Sequence, residues 1–147
     1  MTVTTTPTLA APLYGASFGQ AVSRFWSKYA TFSGRASRSE FWFAYLFVVA
    51  VSAVLYGLSF GVGVATGSVA ADGTTAPGAG GVVFGLVYLV WALATIIPFL
   101  AVTWRRLHDT NKSGGFYFLG LIPFVGAIIV IVLLALPSEP AGARFDR

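Results

Sequence analysis

Three stretches of this chain hold no charged residue over lengths that match a lipid bilayer: residues 41–66, 82–104 and 116–136. A helix needs roughly 20 mostly apolar residues to cross the hydrocarbon layer. Only elements that satisfy their own backbone N–H and C=O groups can do so. With 56% of its 147 residues hydrophobic and 10% charged, the chain carries more apolar surface than a soluble core of that size can hide. The expected fold is an all-α membrane protein with three transmembrane helices, at about 38–66, 82–104 and 116–136. A flexible tail is expected over 1–16, an amphipathic interfacial helix over 17–32, a single membrane domain over 17–136 and a C-terminal tail over 137–147.

Basic residues orient the spans, because Lys and Arg near span ends stay cytoplasmic. Arg24, Lys28, Arg35 and Arg38 precede the first window, and Arg105, Arg106 and Lys112 follow the second. Residues 67–81 between them hold no base, only Asp72. The N-terminus is therefore expected in the cytoplasm, with 67–81 outside. Residues 1–20 lack a basic start and an apolar core, so the first span is expected to act as an uncleaved anchor. Full crossing of 116–136 is expected and places the tail outside; a break at Pro123 and Gly126 would make this window re-entrant and return Arg144 and Arg147 to the cytoplasm.

Ahead of the first span, Phe18, Ala21, Val22, Phe25, Trp26, Tyr29 and Phe32 recur at helical spacing, with Gln20, Ser23, Arg24, Ser27 and Lys28 opposite. Ser17 with Gln20 and Ser37 with Glu40 have capping-box spacing. A basic, aromatic amphipathic helix beside a span suits the headgroup layer, with Arg24 and Lys28 on anionic lipid, or packing against the spans. Glu40 reads as a helix cap rather than a proton carrier. Within the first span Ala53, Gly57, Gly61 and Ala65 fall every four residues, a stripe suited to close helix packing within the chain, in a homo-oligomer or with another membrane protein.

The polar stretch WRRLHDTNKSGG, residues 104–115, lies between two apolar windows and contains the single histidine. Arg105 and Arg106 suit a helix C-terminus and snorkelling to phosphates. Asp109, Thr110 and Asn111 form turns. Asp109 is the lone acid there, so a specific partner is expected. Arg35 is the candidate, giving a clasp of Arg35, His108 and Asp109, with Arg38 next. No metal cluster or cofactor is expected, because there is no cysteine and one histidine.

FSGRASRSEFW at 32–42, RRLHDTNKSGG at 105–115, LIPFVG at 121–126 and ARF at 143–145 together resemble the DUF805 family of small bacterial inner-membrane proteins. The likeness runs from about Phe18 to Phe145. This chain differs from the family pattern at Asn111, where the family has glycine, at Gly115 and Phe116, where it has tryptophans, and at Ala143, where it has asparagine. The resemblance implies the bacterial cytoplasmic membrane as location and assigns no reaction.

Three classes of function follow. The first is a non-enzymatic membrane component whose basic face, Arg35, Arg38, Arg105, Arg106 and Lys112, binds anionic membrane lipids or an acidic partner. The second is a transporter or channel subunit for a small neutral solute, opened at Pro98 and Pro123; no ionisable group lies mid-span for proton coupling. The third is an interfacial enzyme using His108 and Asp109. Nucleic acid is not an expected partner, because the basic residues lie at membrane boundaries.

Overall fold

A computed structural model describes residues 11–146. Four helices follow in order: α1 Phe18–Ser27, α2 Arg38–Thr66, α3 Ala79–Asp109 and α4 Gly126–Ala135. Short 3-10 segments occupy Gly114–Leu121 and Pro140–Phe145, and β1 Ser68–Val69 pairs with β2 Thr75–Ala76. Among the described residues, α2 and α3 are the two helices long and apolar enough to cross a membrane. Their 29 and 31 residues extend over about 43 and 46 Å at ~1.5 Å per residue. Pro98 lies inside α3, which continues through it.

The chain divides into two compact units, one of them Leu46–Ile96 and the other formed by the residues before and after it. Within Leu46–Ile96, α2 meets α3 along small residues. A Cβ on Gly81 would lie 2.3 Å from Gly63 Cα, so only glycine permits this approach. Ser59 Oγ donates to Gly81 O at 3.0 Å, and Trp91 Nε1 donates to Ser52 Oγ at 3.0 Å. The connecting turn is held by Asp72, which accepts from Thr74 N at 3.0 Å and Thr74 Oγ1 at 2.7 Å. These bonds keep the Asp72 carboxyl below its usual range.

The expected stripe Ala53, Gly57, Gly61 and Ala65 is exposed, with open space around Gly57 and Gly61. At 3.6 residues per turn, positions two apart lie about 200° apart. Gly61 therefore points away from the face that carries Ser59 and Gly63.

The second unit corrects the third span. Residues 116–136 do not form one helix: the 3-10 segment ends at Leu121, the chain turns, and α4 has ten residues. Ten residues reach about 15 Å, half of a hydrocarbon layer about 30 Å thick. Phe124 takes a left-handed conformation, φ 62°, and Gly126 N donates to Ile122 O at 3.0 Å. A Cβ on Gly126 would meet Leu119 O at 2.1 Å, so glycine lets α4 start against the preceding segment. Both ends of the excursion attach to the last turns of α3: Lys112 N donates to Leu107 O at 2.9 Å, and Arg106 Nη2 donates to Leu136 O.

Both expected tails are altered too. Residues 1–10 lie outside the described residues, but 11–16 are fixed: Leu13 N donates to Glu40 Oε2 at 2.9 Å, Ala16 N to Ser39 Oγ at 2.9 Å, and Ala16 is buried. At the other end Phe145 O accepts from Gly34 N at 2.8 Å. The helix expected over 17–32 begins with the Ser17–Gln20 capping box and stops at Ser27. Its inward face holds Ala21, Arg24 and Phe25, whereas Phe18 and Trp26 are exposed. The packed face thus mixes the two stripes, Ala21 and Phe25 from the apolar one with Arg24 and Lys28 from the polar one, and Glu40 draws Arg24 inward.

A charged cluster as candidate functional site

The last turns of α3 carry an unusual load, with Arg105, Arg106, His108 and Asp109 all buried. Buried charge is tolerated when paired and hydrogen-bonded, and Asp109 meets that condition. Its carboxylate accepts from Arg106 Nη1, Ser138 Oγ and Tyr14 Oη, the last at 3.1 Å. Its carbonyl accepts from Glu139 N at 2.8 Å. Arg106 in turn donates from Nε to Leu134 O at 2.9 Å and from Nη2 to Leu136 O. One ion pair therefore gathers the N-terminal segment, α3 and the chain after α4.

The expected Arg35–Asp109 ion pair is present at 3.9 Å, but Asp109 has a closer partner. Arg106, three residues earlier on α3, pairs with Asp109 directly, and Arg35 Nη1 stands 3.9 Å from Asp109 Oδ1. Arg35 gives its fork to Asp146 instead, with Nε to Oδ1 at 2.9 Å and Nη2 to Oδ2 at 2.6 Å. That bidentate bond raises the Arg35 pKa above its ordinary value. His108 stacks on Phe145 with centroids 4.0 Å apart and 5° between planes, and its Nδ1 lies 3.1 Å from Gly34 O.

A second centre forms around Glu40, which is 3% exposed. Its carboxylate caps α2 through Ser37 N at 2.9 Å while Ser37 Oγ accepts from Glu40 N at 3.2 Å, the expected capping box. The same carboxylate pairs with Arg24 Nε, and Arg24 Nη2 donates to Ala11 O at 2.5 Å.

Of the basic face expected from Arg35, Arg38, Arg105, Arg106 and Lys112, the structure leaves Arg38 exposed and Arg35 and Lys112 half-buried. Arg105 and Arg106 do not reach a surface, being 2% and 0% exposed. The loop before α2 and the chain after α4 cover them: Ala36 N donates to Arg105 O at 3.1 Å, and Arg106 holds Leu134 and Leu136. Sequence reasoning missed Tyr14, Ser138 and Asp146 as partners of the cluster. Asp146 follows the ARF stretch and was a legible signal; nothing local marks Tyr14 or Ser138.

A family model described as a protein of unknown function, DUF805, matches residues 29–147. The chain belongs to the DUF805 family. Among similar proteins is the inner membrane protein YhaI of Escherichia coli K12, 30% identical over 121 residues that cover 81% of this chain and 86% of the relative. Another is the inner membrane protein YhaH of the same strain, 33% identical over 117 residues, covering 80% and 85%. No solved structure matches the chain. With its two apolar helices, this DUF805 chain is a transmembrane protein of the inner membrane. The family match covers the Asp109 cluster apart from Tyr14 and begins one residue after Lys28.

Proposed function

We propose that this DUF805 protein is a non-enzymatic, two-span membrane component whose basic cytoplasmic end engages anionic lipid headgroups. The observation that carries the reading is what remains after the ion pairs are assigned. Arg24, Arg35 and Arg106 have carboxylate partners. Among the described residues Arg38, Lys112 and Arg144 have none, and Arg38 and Arg144 are exposed. Arg38 donates to Leu136 O at 3.1 Å and Arg144 to Asn111 O at 3.3 Å, so both are steered while keeping their charge. Each base beside an anionic surface contributes about 1 kcal/mol.

Orientation follows from the same residues. Bases before α2 and after α3 favour the cytoplasm, the basic-free link at Asp72 favours the outside, and the returning hairpin of 116–136 brings the C-terminus back to the cytoplasmic side. The non-enzymatic part is supported by the engagement of the two groups that could do chemistry: the His108 ring face is covered by Phe145 and Asp109 is held by Arg106, Ser138 and Tyr14.

The test compares thermal unfolding in neutral detergent with added phosphatidylglycerol or phosphatidylcholine, for the wild type and for the combined Arg38→Gln, Lys112→Gln and Arg144→Gln variant. Phosphatidylglycerol should stabilise the wild type more than phosphatidylcholine, and the variant should lose most of that difference. Equal stabilisation by the two lipids would remove the headgroup reading and leave an acidic protein as the partner to seek.

A further inference from the structure

Among the described residues, two cations inside the charged unit have no acid within ion-pair distance. Lys28 is 3% exposed and Arg105 is 2% exposed, and Lys28 Nζ, Arg105 Nε and Arg105 Nη1 have no hydrogen-bond partner. The two side chains come from segments packed together: Ala36 N bonds Arg105 O at 3.1 Å, and the Phe32 and Trp104 rings meet edge to face at 5.9 Å. After burial, Arg105 is the next cause that lowers Lys28 to about 8, with Glu40 and Asp146 acting against it.

The sequence has five acids. Asp72 belongs to the other unit. Glu40 is committed to Arg24, Leu13 N and Ser37 N, Asp109 to Arg106, Ser138 and Tyr14, and Asp146 to the Arg35 fork. Glu139 is exposed. Buried polar groups are rarely left unpaired, and two like charges with no direct ion-pair partner are costlier still. Water could take the donors but could not offset the charge.

We propose that Lys28 and Arg105 form a binding site for a phosphate-class oxyanion, either free phosphate or the phosphate of a lipid headgroup. Its chemistry favours a tetrahedral anion over a carboxylate. Nε and Nη1 of a guanidinium do not share the edge that a planar carboxylate takes with two parallel bonds. A phosphate can give one oxygen to a single Arg105 N–H and another to the Lys28 ammonium, and keeps further oxygens for other donors. Arg24, already neutralised by Glu40, adds to the positive field around Lys28.

With a lipid phosphate as ligand the site deepens the headgroup reading above; with free phosphate it stands apart from it. The experiment uses the full-length protein in neutral detergent, stripped of lipid, with unfolding followed against sodium phosphate at constant ionic strength. Phosphatidylglycerol and phosphatidylcholine form separate arms. The variants are Lys28→Met and the Arg38, Lys112 and Arg144 combination.

At about ten times its dissociation constant, the bound anion should raise the wild-type midpoint by roughly 3–6 °C. Lys28→Met should lose this response while unfolding no earlier than the wild type in chloride alone, because it removes an unpaired buried charge. The surface combination should retain the phosphate response. A response to phosphate identifies a free anion as ligand, and a response to phosphatidylglycerol alone, lost in Lys28→Met, identifies the lipid phosphate. Equal responses of wild type and Lys28→Met in every arm would overturn the site, and so would the absence of any wild-type response. The headgroup reading would then still be judged by the surface combination.

Discussion

Replacing Asp109 with alanine leaves the Arg106 guanidinium fully buried without its counter-charge. Removing one member of a buried pair costs about 3–5 kcal/mol. Arg106 keeps the carbonyls of Leu134 and Leu136, so the lower end, about 3 kcal/mol, is expected. At about 2–4 °C per kcal/mol for chains of this size, the detergent midpoint should fall by roughly 6–12 °C. Arg106→Met should cost a similar amount by leaving the carboxylate unpaired. Because both losses come from one contact, the double variant should lose less than their sum by roughly 1–3 kcal/mol. Arg35→Met should couple to Asp109→Ala more weakly, since Arg35 is 3.9 Å away and holds Asp146 with its fork. Strictly additive losses for Asp109→Ala and Arg106→Met would refute the claim that this pair is the centre of the cluster.

Gly142→Ala should detach the C-terminal segment and speed its proteolysis, because the new Cβ would lie 2.4 Å from His108 O. In the other unit Gly81→Ala should lower the midpoint through its clash with Gly63, whereas Gly57→Ala, in open space, should leave it unchanged or slightly raised. Lys28 should also show in the pH dependence. Its folded-state pKa is lowered from 10.5 to about 8, so the unfolded chain binds more protons between those values and stability should rise as pH rises from about 8 to 10.5. The groups acting on it are Arg105 and Arg24, which lower it further, and Glu40 and Asp146, which raise it. Unfolding midpoints from pH 7 to 10.5 should lose this rise in Lys28→Met, and an unchanged slope would show that Lys28 is not the titrating group.

Periodicity and composition were enough to find α2, α3 and both capping boxes, because these depend on residues close in sequence. In the third window length and hydropathy favoured full crossing because they do not register a turn, whereas Pro123 and Gly126 marked the alternative, and the chain turns there, with Phe124 left-handed and Gly126 against Leu119 O. The stripe at Gly57 and Gly61 has helix-packing spacing but does not face α3; the row that does, Ser59 and Gly63 against Gly81 and Gly85, is also spaced in fours, and spacing alone does not say which row meets the neighbour. Asp109 was singled out as an acid in need of a cation. Choosing Arg106 over Arg35 required knowing that the helix continues to Asp109 and so brings residues three apart onto one face. For Arg24 and Lys28 headgroup contact and packing against the spans both stayed open, because amphipathicity does not say which face is packed. Glu40, in the first turn of the next helix, places Arg24 on the packed face.

The central claim is that the chain crosses the membrane twice and returns its C-terminal segment to the side of Arg35 and Asp109. The absence of cysteine makes this directly measurable. Single cysteines placed by Asp72→Cys and Ala143→Cys, both at exposed positions, can be tested with a membrane-impermeant thiol reagent on intact cells and again after permeabilisation. The account predicts labelling of the cysteine at 72 in intact cells and of the one at 143 only after permeabilisation. Labelling at 143 in intact cells, with 72 labelled alongside it, would contradict the account by showing that residues 116–136 cross the membrane.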